Sequence, residues 1–563
     1  MNNTPSVPGA PAPAATGAPQ NAPTPVYPVN RPGEPWQFAP PTVPRQPVPA
    51  AMADGVMALA ILPLAWWFCH LCLTGWLGLG VTLFTAAFVA AVLCYRRGAG
   101  LAVPKGSLPW LGVMALSALN FTVVDNGLLA WLDLLFLVAV TAYWVAVVNG
   151  TRIRDRLGEH LAADLVNHLF VVPFQNFGCL TAVAKKALSK TRLGRELGIV
   201  LLSCLCSMPL LWYVCLQLSR VDGGFSRLLE ELSRLLSLEN ILSVTTILAV
   251  PVAFYLYGLL YGSQHRRYTA TPTAEQLDQA AQKRHILPPA AAYTLLTLLC
   301  LVYTLFFLVG AAGMLSFARS VHTPWEYAGF ARDGFFELCR VSVVNLLVLW
   351  GLWLFQKTSS QRPTVATRIF DSLLCCQTLL LIALALCKMG LYIRYCGVTW
   401  LRVCTTWFMV LLAVVFGLML LSQFREIPLA RWAAASFCAL FLILCWMDVD
   451  GLVVKNAIWR YEVTGDPHAI SYVDLSASAS AGASDLYALW QRESAKAESP
   501  VLPRLEELLE KAGYLRAWGD PTGDSIMNWN LQRSQAKAIG RLFLPSPQPE
   551  VADFPTVGEG AEG

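Results

Sequence analysis

The chemistry this sequence could perform rests on ionisable side chains set inside or beside long apolar runs. Asp133 stands within one such run. A carboxylate at that depth suits a proton or cation site, and pairing with Asn120 across a helical hairpin accounts for it equally well. A second group gathers Glu326, Arg332, Asp333, Glu337, Arg340, Arg394 and Arg402 near the ends of neighbouring runs. Its arginines could hold an anionic headgroup or solute, and Glu326, Asp333 or Glu337 could act as a base toward a lipid-linked substrate. Glu337 and Arg340 are three apart, so on a helix they share a face and can pair. The other reading makes the group a set of interfacial ion pairs and snorkelling side chains that lock a bundle, and this is the preferred one. Asp371 and Gln377 pose the same choice.

Familiar catalytic signatures are missing: no Walker P-loop, HExxH, GxSxG or Rossmann glycine pattern occurs. The seven histidines are scattered, and no metal or other cofactor is expected. All 16 cysteines fall between Cys69 and Cys445, nearly all in or beside apolar runs, where cysteine behaves as a small hydrophobe. Cys69 and Cys72 have CxxC spacing but no second ligand pair, so packing is preferred over redox chemistry. Gly78 and Gly80 lack the context of a nucleotide loop and read as close-packing positions. The balance leans away from an enzyme.

The elements that must position these residues are membrane helices. Of 563 residues, 56% are hydrophobic and 14% charged, and the mean hydropathy is +0.51. A soluble domain carries about 25% charged residues. Runs at 53–72, 77–95, 107–124, 128–148, 197–218, 240–262, 289–316, 337–355, 369–389, 400–422 and 430–447 are each long enough to span a ~30 Å hydrocarbon core. They are continuous rather than alternating, which excludes barrel strands. The fold expected is all-α, a polytopic transmembrane helix bundle of about eleven spans at 51–450. One set of connections holds 20 Lys and Arg and the alternate set nine, which puts the N-terminus in the cytoplasm and the C-terminus outside it, at the cell membrane. A net charge of +5 suits basic loops and gives no nucleic-acid surface.

The flanking segments differ in composition. Residues 1–50 hold 15 of 35 prolines and three charges and read as a disordered tail. Residues 451–545 read as a small extramembrane helical extension, with helices over Pro503–Gly513 and Trp529–Phe543, and 546–563 as a second disordered tail. Either end could engage a protein partner. An amphipathic helix is expected over 223–238, and 157–190 is expected to lie flat on the inner surface, with Lys185, Lys186 and Lys190 toward headgroups. Were it to cross instead, the spans would number twelve and the C-terminal tail would change sides.

Four segments carry a likeness. Thr323–Leu338 resembles the "Y-A-R-x-G-F-F-x-L" stretch of a bacterial multi-pass membrane family catalogued as a domain of unknown function (the 4153/4173 group). Met389–Arg402 resembles its "Y-x-x-x-Y-G-x-T-x-x-R" segment, with Cys396 as a departure. Asp448–Tyr461, with Asn456 and Arg460, resembles its "N-x-x-x-x-R-Y" stretch, and Trp529–Ala536 its closing helix. The likeness runs from about Trp76 to Leu544; over Leu475–Leu489 an expected acidic pattern is replaced by serines and alanines. It implies a membrane bundle and supplies no reaction. The function expected is a non-enzymatic envelope scaffold or sensor, with a transporter or channel for a small solute, or an intramembrane transferase, as alternatives.

Overall fold

Leucine-rich runs with few helix breakers become helices whose backbone polar groups are satisfied internally, as a hydrocarbon environment demands. The computed structural model describes residues 48–540 apart from 75–76, 126, 154–159, 191–243, 270–274, 278, 281–285, 320–328, 330–333, 356–363, 472, 474–481, 497, 518–526 and 528. Among the described residues there are helices and no strand. The principal helices are α1 (Met52–Thr74), α2 (Leu79–Gly98), α3 (Leu108–Val123), α4 (Gly127–Asn149), α5 (Cys179–Lys190), α6 (Val244–Gln264), α7 (Pro289–Arg319), α8 (Phe335–Phe355), α9 (Val365–Cys396), α10 (Trp400–Phe424) and α11 (Leu429–Trp446). Helices α12 (Val449–Thr464), α13 (Ala483–Ser494), α14 (Leu502–Ala517) and α15 (Leu531–Gly540) form the extension.

Ten helices among the described residues, all of α1–α11 except α5, are long and apolar enough to cross a membrane. They match ten of the eleven expected spans. The remaining span, 197–218, the 223–238 helix and the tails 1–47 and 546–563 lie outside the described residues. Chain termini of the helices follow local chemistry. Arg96 and Arg97 close α2, where the helix dipole favours cations. Thr364 Oγ1 accepts from Thr367 N at the start of α9, and Gly397 ends that helix at φ +79°, a conformation suited to glycine.

Helices α1–α4 and α6 pack around Phe121, Trp144, Tyr257 and Tyr261, while α7–α10 pack around Leu296, Ala385, Met409 and Phe416. Helix α11 joins the two groups. Phe441 meets Phe136 at 4.9 Å, and Trp446 Nε1 donates to the Leu116 carbonyl. The extension has its own core of Val454, Leu486, Leu505 and Leu508.

Within the stretch 157–190, the described residues 161–175 pack closely on α6. Leu161–Val166, a π-helical turn at Asn167–Val171, and Val172–Gln175 run against α6. Gly258 and Gly262 make this approach feasible, since a Cβ at either would collide with the Pro173 carbonyl or the Asn176 side chain. Tyr255 donates to the Leu169 carbonyl at 2.8 Å, and the exposed Lys186 donates to the Val48 carbonyl.

Helix ends sort into two groups. At one end, Tyr261 donates to Pro49 O, Arg96 to Asn149 Oδ1, and Leu287 N to Phe355 O. At the other, Leu79 N donates to Trp529 O, Asn530 to Phe121 O, and Arg460 to Tyr395 O. Because α1 and α2 are antiparallel neighbours, tied by Tyr95 to Asp54, Val48 and the extension sit at opposite ends of the bundle.

Candidate functional site

Three polar constellations stand out against the apolar helices. The first surrounds Asp133, which is fully buried on α4. Ser117 Oγ donates to Oδ1 at 2.6 Å and Asn120 Nδ2 to Oδ2 at 3.0 Å, both from α3. Ser117 and Asn120 are three apart and so share one face of α3. The carboxylate is thus held by two neutral donors across the α3–α4 hairpin.

The second lies at the extension end. Asn530 donates to the carbonyls of Phe121 and Val124, closing the end of α3. Gln532 accepts from the Asp125 backbone N–H and donates to Asp448 Oδ2, each at 2.7 Å. Arg533 pairs with Asp125 at 2.9 Å, with both side chains nearly buried. Asp448 itself takes a left-handed conformation, φ 49°, and its carboxylate accepts from Gly451 N to start α12. Four residues of the short run Trp529–Arg533 therefore stitch together the start of α2, the α3–α4 connection and the α11–α12 junction.

The third lies at the opposite end. Asp54, 1% exposed, accepts from Ala51 N, Tyr95 Oη and His265 Nε2 at 2.7, 2.6 and 2.9 Å. Tyr257 and Tyr261 fix the adjoining chain through the carbonyls of Asp54 and Pro49. Close by, His168 bridges Thr151 Oγ1 and the Asp164 carbonyl, and burial holds its imidazole below its ordinary value.

Of the residues singled out between 326 and 402, Glu337, Arg340, Arg394 and Arg402 are described. Glu326, Arg332 and Asp333 lie outside the described residues. Glu337 and Arg340 do pair, at 2.7 Å, on an exposed face of α8. Arg394 is exposed. Arg402 folds back onto the end of α9, donating to the carbonyls of Cys396 and Gly397 with its guanidinium over the Tyr392 ring at 4.0 Å. Among the described residues, no hydrogen bond or ion pair links Glu337 or Arg340 to Arg394 or Arg402, and no group of three or more His, Cys, Asp or Glu is placed to hold a metal ion. Gln377 turns to Cys300 O and Thr304. Cys69 and Cys72 form no disulfide.

The family model described as "Domain of unknown function (DUF4153)" matches residues 111–486, about two thirds of the chain. The chain belongs to this DUF4153 family. No curated protein and no solved structure matches it. The DUF4153 match starts within α3 and stops within α13, inside the stretch over which the resemblance was traced.

Two segments that carry the DUF4153 likeness clasp each other. Asn456 Oδ1 accepts from Val398 N at 3.0 Å, and Arg460 donates to Tyr395 O at 2.9 Å. Gly397 has no room for a Cβ, because the Arg460 guanidinium fills that space. With Arg402 on the same turn, two arginines donate to the carbonyl end of α9, where the helix dipole is negative, while Asn456 takes up the Val398 N–H just beyond it. Next to the clasp, Glu493 is buried among Lys496 Nζ, Ser499 Oγ and Tyr461 Oη at 2.6, 2.7 and 3.2 Å. Burial alone would raise this acid, but the donors outweigh it and hold the carboxyl below its ordinary value. Sequence reading missed Asp54, His265, Gln532 and Asn530 as partners, since each meets residues far away in the chain.

Proposed function

We propose that this integral membrane protein is a non-enzymatic scaffold or sensor of the cell envelope that holds its C-terminal extension as a fixed platform at one end of the bundle. The observation carrying this reading is Gln532, whose amide joins Asp125 to Asp448 and so ties the extension to two separate helix junctions. Two of the ionisable groups that a transport reading would use have structural partners: Asp133 is held by Ser117 and Asn120, and Arg402 caps α9. Excess Lys and Arg in the connections opposite the extension support a cytoplasmic N-terminus and an extracytoplasmic platform, where a protein partner would dock.

Complementation of a strain lacking the gene tests the proposal. A scaffold keeps its function when Asp133→Asn or Arg402→Lys is introduced at normal expression, and loses it when Gln532→Ala and Arg533→Ala free the platform. The opposite pattern favours transport.

A further inference from the structure

Between α1, α2, α4 and α6 lies a cavity of about 270 Å³. Its walls are hydrocarbon and aromatic, with Phe88, Leu134 and Leu137 buried, while Phe84, Val138 and Leu256 are half-buried where it opens outward. The few polar atoms in the wall are turned away. Thr85 Oγ1 is bonded to Val81 O, Thr141 Oγ1 to Leu137 O, and Tyr255 Oη to Leu169 O. Nothing in the wall would recognise a charged or hydrogen-bonding solute, and a dry apolar void of this size is a standing site for an apolar guest.

The shape narrows the guest further. Its lining on α4 runs from Leu134 to Ala142, about 12 Å at the helical rise per residue. A wholly apolar lining of that length, open on one side, suits the stem of a hydrocarbon chain. All four walls are candidate spans, so the surrounding bilayer presents such chains continuously.

We propose that this cavity is a lipid site that takes an acyl chain of a bilayer lipid. Residues 197–218, the expected span outside the described residues, are the competing occupant.

The test places the full chain in nanodiscs containing a phosphatidylcholine with a diazirine at the end of one acyl chain, followed by irradiation and residue-level mass spectrometry. Adducts are expected on Phe84, Leu137 and Leu256, as well as on the exposed Leu298 and Leu301 of α7, which serve as the bulk-lipid control. In Val138→Trp, or in Thr85→Phe should the first variant fail to fold, the cavity adducts are lost while those on α7 remain. Unlabelled cavity residues beside labelled α7 residues overturn the proposal, as does labelling unchanged by either filling. A photo-reactive residue at position 138 that crosslinks to peptide 197–218 instead of lipid assigns the cavity to the chain itself and overturns it too.

Discussion

Arg533 and Asp125 are separated by 408 positions in the chain yet meet at 2.9 Å, with side-chain exposures of 11% and 3%. The pair sits where the extension touches the α3–α4 connection. Breaking one partner of a buried pair typically costs about 3–5 kcal/mol, because the other charge is left without its counterion. Asp125→Asn and Arg533→Gln should each lower the unfolding temperature in detergent, and the double variant should lose much less than the sum. A double-mutant cycle with no coupling would remove the pair as a fastener.

Asp133 should behave as a structural acid. Asp133→Asn keeps an acceptor for Ser117 or Asn120 and should cost about 1 kcal/mol, near the value of one interhelical hydrogen bond in a membrane. Asp133→Leu leaves both donors buried without a partner and should cost roughly 1–3 kcal/mol more. Thermal unfolding of the purified variants measures both; equal stability for Asn and Leu would contradict the arrangement.

Glycines on α6 should tolerate nothing larger. Gly258→Leu drives a side chain into the Pro173 carbonyl and should destabilise by at least the ~1–3 kcal/mol of an overpacked core. Gly351→Leu on α8, where nothing lies within 4 Å, is the control and should leave stability unchanged. Fluorescence-detected size exclusion after heating separates the two outcomes.

Glu493 should make the extension sensitive to acid. Its folded value lies below the ordinary 4.5, so its contribution is fully present above 4.5 and is lost as pH falls through the folded value. Hydrogen exchange in α12 and α13 should therefore accelerate as pH is lowered past 4.5, after correction for intrinsic rates. Glu493→Gln should be less stable at neutral pH and should lack this acid-dependent step. An identical acid response in both proteins would place the sensitivity elsewhere.

Membrane helices were readable because span length and low charge are local properties: the ten candidate spans fall where apolar runs predict them. Local spacing also identified Glu337 with Arg340, and the short α3–α4 hairpin made Asp133 with Asn120 a natural pair. What could not be read depends on chain distance. Nothing near Asp54 indicates His265, and nothing near Trp529 indicates that its carbonyl accepts from Leu79. Of the charges gathered at 326–402, Glu326, Arg332 and Asp333 lie outside the described residues, and the local pair Glu337–Arg340 is the part that spacing made legible. Arg402 serves the carbonyls of its own turn. Likewise, the close packing of 161–175 on α6 could not be read locally, because the glycines that admit it belong to α6.

The most direct test follows amide hydrogen exchange at Leu79 and Asp125 in nanodiscs, since these N–H groups donate to Trp529 O and Gln532 Oε1. In the full chain both should be protected, and in a chain ending at residue 528 both should exchange rapidly while amides in the middle of α2 and α4 stay protected. Unchanged protection at Leu79 and Asp125 after that truncation would contradict a platform fastened to the bundle by Trp529–Arg533.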